Sequence, residues 1–247
     1  MFLRNLGPWR VERVDKATLR FTARAQAGKQ LFAQWKVQGL TIEATTLRGT
    51  AKLGAKSTMD LLSASMGGGT KTVSTRPSAD PQSKVPQTAT ILAQTADFDA
   101  AENTVTSPGA LSLASHDPGT QQKFDAKGSR GKVTLAKTGK GAVQGAVLEG
   151  PIEMTLKGVR EETDEKTKKT VHAPYTVTGK GGKLVYSAAE NTITLTGDVR
   201  ISGDDPMFGG DIRASRAVIT LDAKGEIASI DFDGPGETVL KERKGGG

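Results

Sequence analysis

Apolar and polar residues alternate with period two along most of the chain. In TITLTGDVRI, Ile193, Leu195, Val199 and Ile201 fall on one side, and Thr192, Thr194, Asp198 and Arg200 on the other. AVITLDA sets Ala217, Ile219 and Leu221 against Val218, Thr220 and Asp222, and ASIDFDG sets Ile230 and Phe232 against Asp231 and Asp233. TLRFTARA, LFAQWKVQ, LTIEA, KVTLA and PIEMTL follow the same rule. Successive side chains of a strand point to opposite faces, so these runs predict strands with one buried face. Turn-forming clusters (Ala-Glu-Asn, Ser-Gly-Asp-Asp-Pro, Ala-Lys-Gly, Asp-Gly-Pro-Gly) separate them at intervals of about 8 to 12 residues, the spacing of an all-β sandwich, barrel or roll. Helical periodicity is nearly missing; MDLLSASM, Met59 to Met66, is the one weak candidate.

The chain also repeats itself. VPQTATILAQTADFDAAENTVTSPGALSLASHDP, from Val85, matches APYTVTGKGGKLVYSAAENTITLTGDVRISGDDP, from Ala173, at an offset of 88 residues. The match continues with small gaps, from SRGKVTLA to SRAVITLDA and from VLEGPIEMTL to DFDGPGETVL. A ladder of similar β units is the physical reading, each burying its apolar side against its neighbours. Two segments interrupt the pattern: Gly67 to Val85, rich in Gly, Ser and Pro, and Val159 to Val171, of mixed charge. Both are expected to be exposed loops or hairpin extensions.

Composition narrows the function classes. Of 247 residues, 36% are hydrophobic and 4% aromatic; cysteine is absent, histidine occurs twice and the formal charge is +7. No disulfide scaffold, cysteine-based metal site or histidine-rich metal centre is possible. No stretch approaches the roughly 18 apolar residues of a membrane-spanning helix. Arg4, Arg10, Glu12 and Arg13 interrupt any secretory apolar core near the start, so either the chain takes another route or it begins after a removed segment. Scarce aromatics leave no base-stacking platform, and no nucleic-acid-binding motif is present.

The stretch KLVYSAAENTITLTGDVRISGDDPMFGGDIRASRAVITLDAKGEIASIDFDGPG resembles the OstA-like family, which holds periplasmic lipopolysaccharide-transport proteins of the LptA and LptC type. Tyr186, Asn191, Ile193, Leu195, Gly197, Val199, Ala214, Ile219, Leu221, Ile227 and Gly234 fall on that family's repeat. Phe98, Asn103, Val105, Gly109, Leu111, Val133, Leu135 and Gly150 match more loosely, and the resemblance covers about Gln87 to Leu240. It implies a twisted antiparallel β-roll whose two facing sheets form an apolar trough for the acyl chains of lipopolysaccharide or a related glycolipid. It also implies a periplasmic or envelope location, and end-to-end pairing with other OstA-like proteins or with itself.

The expected organisation is continuous: residues 1–86 as an N-terminal β segment with its loop, 87–158 as one repeat, 159–172 as a charged loop, and 173–247 as a second repeat with a flexible tail. Residues expected to line the trough are Phe98, Val105, Leu111, Leu113, Val133 and Leu135 in the first repeat. In the second they are Leu184, Tyr186, Ile193, Leu195, Val199, Ile201, Ile212, Ile219, Leu221, Ile230 and Phe232. Lys127, Arg130 and Lys132, or Lys166, Lys168 and Lys169, are candidates for phosphate contact or simple loop solubility.

Catalytic signals are weak. His116 and His172 are expected in turns or loops. Asp97/Asp99 and Asp231/Asp233 are carboxylate pairs on polar strand faces, a poor geometry for glycoside hydrolysis. Neither a phosphate-binding loop nor a nucleophile elbow occurs. The chain therefore reads as a non-enzyme that needs no cofactor. The alternative is a structural or adhesive β-repeat protein with a closed core and no small ligand, and a carbohydrate-active β-solenoid is a more remote third.

Overall fold

A computed structural model describes residues 1–36, 38–54, 59–78, 80–137, 142–163, 170–205, 208–222, 225–234 and 238–240. Its strands join in one eighteen-stranded sheet. The chain meanders, running out along one rung and back along the next. Six rungs are single strands: β7 (Met59–Arg76), β8 (Gln87–Asp99), β13 (Val143–Thr163), β14 (Thr170–Ser187), β15 (Thr192–Asp205) and β16 (Phe208–Leu221). The others are each two strands in succession: β1 (Phe2–Arg4) with β2 (Leu6–Arg13), β3 (Thr18–Ala25) with β4 (Leu31–Trp35), and β5 (Leu40–Ala44) with β6 (Thr46–Leu53). The same holds for β9 (Thr104–Ser107) with β10 (Leu111–Asp117), β11 (Gln122–Gly128) with β12 (Arg130–Leu135), and β17 (Ile227–Asp233) with β18 (Thr238–Leu240).

The interruptions line up across the sheet. Register shifts fall between Gly67 and Thr70 in β7, Glu149 and Ile152 in β13, and Thr196 and Val199 in β15. Each inserts one extra residue, which bends the strand and raises its twist. Gly68 and Gly69 have φ of 77° and 79°, a region that side chains with a Cβ avoid. Along this seam the sheet folds into two facing layers. The front layer holds β2, β3, β6, β9, β12, β17 and the adjoining parts of the long strands. The back layer holds β1, β4, β5, β10, β11, β18 and the remainder.

Contacts across the interior fix the two layers face to face. The ring of Phe124, on β11 in the back layer, lies 5.8 Å from that of Tyr186, in the front half of β14. Gly179, in the back half of β14, leaves room for Leu195 of the front layer: a Cβ there would sit 2.6 Å from Leu195 Cδ1. The inward residues form one hydrophobic core that runs from Ala23 to Ile227.

Most of the alternation becomes strand as expected, with β4 and β5 burying every second residue. The helical candidate does not form. Met59 to Met66 is the first half of β7, paired to β6 and β8. A bulge admits Leu62, 38% exposed, between buried Leu61 and Ala64, and this mimics a helical spacing of three. Gly67 to Val85 is not all loop either, because residues 67–76 complete β7. In the second interruption β13 continues to Thr163 and β14 begins at Thr170; Lys166, Lys168 and Lys169 lie outside the described residues.

Candidate functional site

Every residue expected to line a trough points between the layers. Phe98, Val105, Leu111, Leu113, Val133, Leu135, Leu184, Ile193, Leu195, Val199, Ile201, Ile212 and Ile219 are buried. Tyr186, Leu221, Ile230 and Phe232 are half-buried and packed against that core, and burial raises the pKa of the Tyr186 phenol. Val105, Ile193, Leu195 and Ile219 are 0 to 1% exposed, so other protein groups cover these side chains. Around them the two layers are packed together.

Sequence reasoning left out much of the same interior. Leu148, Ile152, Met154, Leu156, Tyr175 and Val177 are buried as deeply as the expected residues. The N-terminal rungs add Leu31, Trp35, Leu40, Ile42 and Leu47. These stand in alternating runs such as PIEMTL and LFAQW, so their signal was the same period of two. Another set lacked that signal. The inward face of β7 carries Thr70, Thr72 and Ser74, all buried, with Thr70 Oγ1 donating to the Ala93 carbonyl at 3.0 Å.

Opposite the seam, among the described residues, side chains rather than ladder bonds join the layers. Gln38 exchanges two bonds with the backbone of Leu61, at 3.1 and 3.2 Å. Arg76 donates from Nε to the Ala136 carbonyl and from Nη1 to that of Gln38, both at 2.9 Å. Burial lowers its pKa, yet arginine stays charged. Arg160, 8% exposed, donates to the carbonyl of Ile227, lies 3.9 Å from Glu226, and sits 5.9 Å from the Tyr175 ring centre. Asp117, also buried, accepts from Ser78 Oγ at 2.5 Å and from the Gly119 N–H at 3.0 Å.

Among the described residues the roll ends in free strand edges, and the first rung pairs on one side only, β1 with β4 and β2 with β3. Trp9 and Val11 stand opposite inward-facing Ala23 and Phe21, yet they are 62% and 42% exposed. The apolar inner face therefore continues into solvent at this end. At the other end, Ile230 and Phe232 on β17 are half-buried.

The titratable candidates are engaged in structure. Asp97 accepts from Ser65 Oγ at 2.6 Å, and Asp99 accepts the N–H groups of Ala101 and Glu102. Asp233 pairs with Arg216, and Asp231 accepts from Ser229. Both histidines are in strands, not turns: His116 on β10 and His172 on β14. The turn role given to His116 falls instead to its neighbour Asp117, whose carboxylate caps Gly119. Lys127, Arg130 and Lys132 face outward, with Arg130 bound to Glu149 at 2.7 Å.

No protein-family profile and no curated protein matches the chain. Among solved structures it is similar to the crystal structure of LptH, described as the LptA-homologous periplasmic component of the lipopolysaccharide transport device of Pseudomonas aeruginosa. The identity is 11% and the TM-score 0.41, over 62% of this chain and 95% of that one.

Proposed function

We propose that this protein is a non-catalytic carrier of a bacterial envelope, which takes the acyl chains of a lipopolysaccharide-type glycolipid between its two layers. In this reading the chain works as one continuous roll, with residues 87–158 and 173–247 as its two repeats. End-to-end strand pairing would join it to like proteins or to further copies. The observation that carries the reading is an apolar interior that spans the roll and is left partly uncovered where the rungs end, at Trp9 and Val11 and again at Ile230 and Phe232. Each methylene moved from water into such a lining contributes about 0.8 kcal/mol.

The packed state of the interior defines what binding requires. Ile193 and Ile219, at 1% and 0% exposure, already touch protein, so lipid would have to part the layers or enter at the half-buried ends. The side opposite the seam suits parting, because its closure rests on bonds from Gln38, Arg76 and Arg160. The closed core equally favours a second reading, a structural β-repeat protein without a small ligand. Native mass spectrometry of protein purified from a lipopolysaccharide-producing host separates the two. The carrier predicts an adduct of glycolipid mass that survives washing and is lost on delipidation. A bare polypeptide mass under the same gentle conditions supports the structural reading.

A further inference from the structure

The surplus positive charge is not spread over the molecule. Residues 1–53 hold ten Lys and Arg against three Asp and Glu, while the rest of the chain holds 24 of each. The whole net charge of +7 thus belongs to the first three rungs.

Strand register gathers part of it on the outer face of the front layer. Arg10 of β2 and Arg48 of β6 both stand opposite Thr22 of β3, one on each side. Arg20 and Arg24 lie two residues before and after Thr22 on the same face. The four arginines thus surround one threonine in a diamond of about 13 by 10 Å, from the strand rise and spacing. All four are exposed. Glu12, opposite Arg20, is bound to Arg10 at 2.8 Å. Among the described residues Arg20, Arg24 and Arg48 make no ion pair. Like charges this close on a sheet face repel, an arrangement that an anionic partner would relieve.

We propose that this arginine diamond docks the N-terminal rungs on an anionic phospholipid surface. The four exposed guanidinium groups suit an array of phosphates, each able to take one in two-point contact. No aromatic stands among the arginines to stack a base. The proposal does not depend on the carrier reading, since the surface that it names need contain no lipopolysaccharide.

Vesicle flotation of the full chain tests it, with phosphatidylcholine alone and with a phosphatidylglycerol admixture. Binding is expected to the anionic vesicles only, weakening with added salt. A lysine or arginine at such a surface contributes about fivefold in partitioning, so R20Q/R48Q should lose roughly 25-fold. K123Q/K157Q removes two exposed lysines from elsewhere on the sheet and should leave most of the binding intact. No binding to anionic vesicles, equal loss from the two double variants, or tighter capture of an oligonucleotide than of vesicles would each overturn the proposal. Unchanged thermal unfolding of both variants assigns any loss to the surface itself.

Discussion

Gly179 tests the facing of the two layers at a single atom. It lies in the back half of β14, and its missing side chain is where Leu195 of the front layer sits. A Cβ there would approach Leu195 Cδ1 to 2.6 Å, Met154 Cγ to 2.9 Å and Ile201 Cδ1 to 3.1 Å. Leu195, Met154 and Ile201 are 0, 3 and 1% exposed, so none can swing into solvent. Glycine in a strand is ordinarily the poorer choice by about 0.5 to 1 kcal/mol relative to alanine. Overpacking a closed core costs about 1 to 3 kcal/mol. Gly179→Val adds two further carbons and is expected near the upper end, about 2 to 3 kcal/mol, or roughly 4 to 12 °C in Tm for a chain of this size. Gly109 is the control. A Cβ there meets nothing within 4 Å, and Gly109→Ala should be neutral or stabilising by up to about 1 kcal/mol. Urea unfolding followed by far-UV circular dichroism measures both. The cycle with Leu195→Ala decides the cause: alone it costs about 2 to 5 kcal/mol, and beside Gly179→Val it should cost less, because each relieves the other. Additive losses, or a Gly179→Val as benign as Gly109→Ala, would refute contact between the layers here.

Other expectations follow from single sites. Asp117→Ala leaves the Ser78 hydroxyl and the Gly119 N–H without their buried acceptor and should cost about 1 to 3 kcal/mol by chemical denaturation; no loss would mean that the pocket is wet. Asp15 accepts the N–H groups of Ala17 and Thr18, which hold its pKa below the usual carboxylate range. Its contribution is therefore present above about pH 4 and lost as pH falls through the depressed folded value. Stabilities of wild type and Asp15→Ala should converge on acidification, and a gap unchanged at low pH would contradict this. The Tyr186 phenol, raised by burial, stays protonated after an unfolded phenol has ionised. Stability should then fall as pH rises above about 10, and Tyr186→Phe should flatten that decline.

Much of this architecture is legible in the period of two, and the seam explains where legibility stops. Inward positions cross the seam in four residues on some strands, from Met66 to Thr70, from Leu148 to Ile152 and from Leu195 to Val199. On β16 the crossing takes three, from Ala217 to Ala214. A reader following strict alternation keeps phase through TITLTGDVRI but loses it along β16. β7 hides for two reasons. Its bulge at Leu62 imitates a helix, and its inward Thr70, Thr72 and Ser74 carry hydroxyls in a segment whose Gly, Ser and Pro content reads as an exposed loop. The clasps of Arg76, Gln38 and Arg160 were illegible because they join segments 23 to 67 residues apart through side-chain bonds that follow no period. The arginine diamond needs strand register, which spacing along one strand does not give.

The most direct measurement places a photo-crosslinking amino acid at position 232, where Phe232 faces the interior near the C-terminal edge, and in parallel at 231, where Asp231 faces out. Both proteins are irradiated with lipopolysaccharide and the adducts resolved by gel and mass. The account predicts a glycolipid adduct from 232 and none from 231. Equal adducts from both positions, or none from either while the protein remains folded, would contradict an acyl-binding interior.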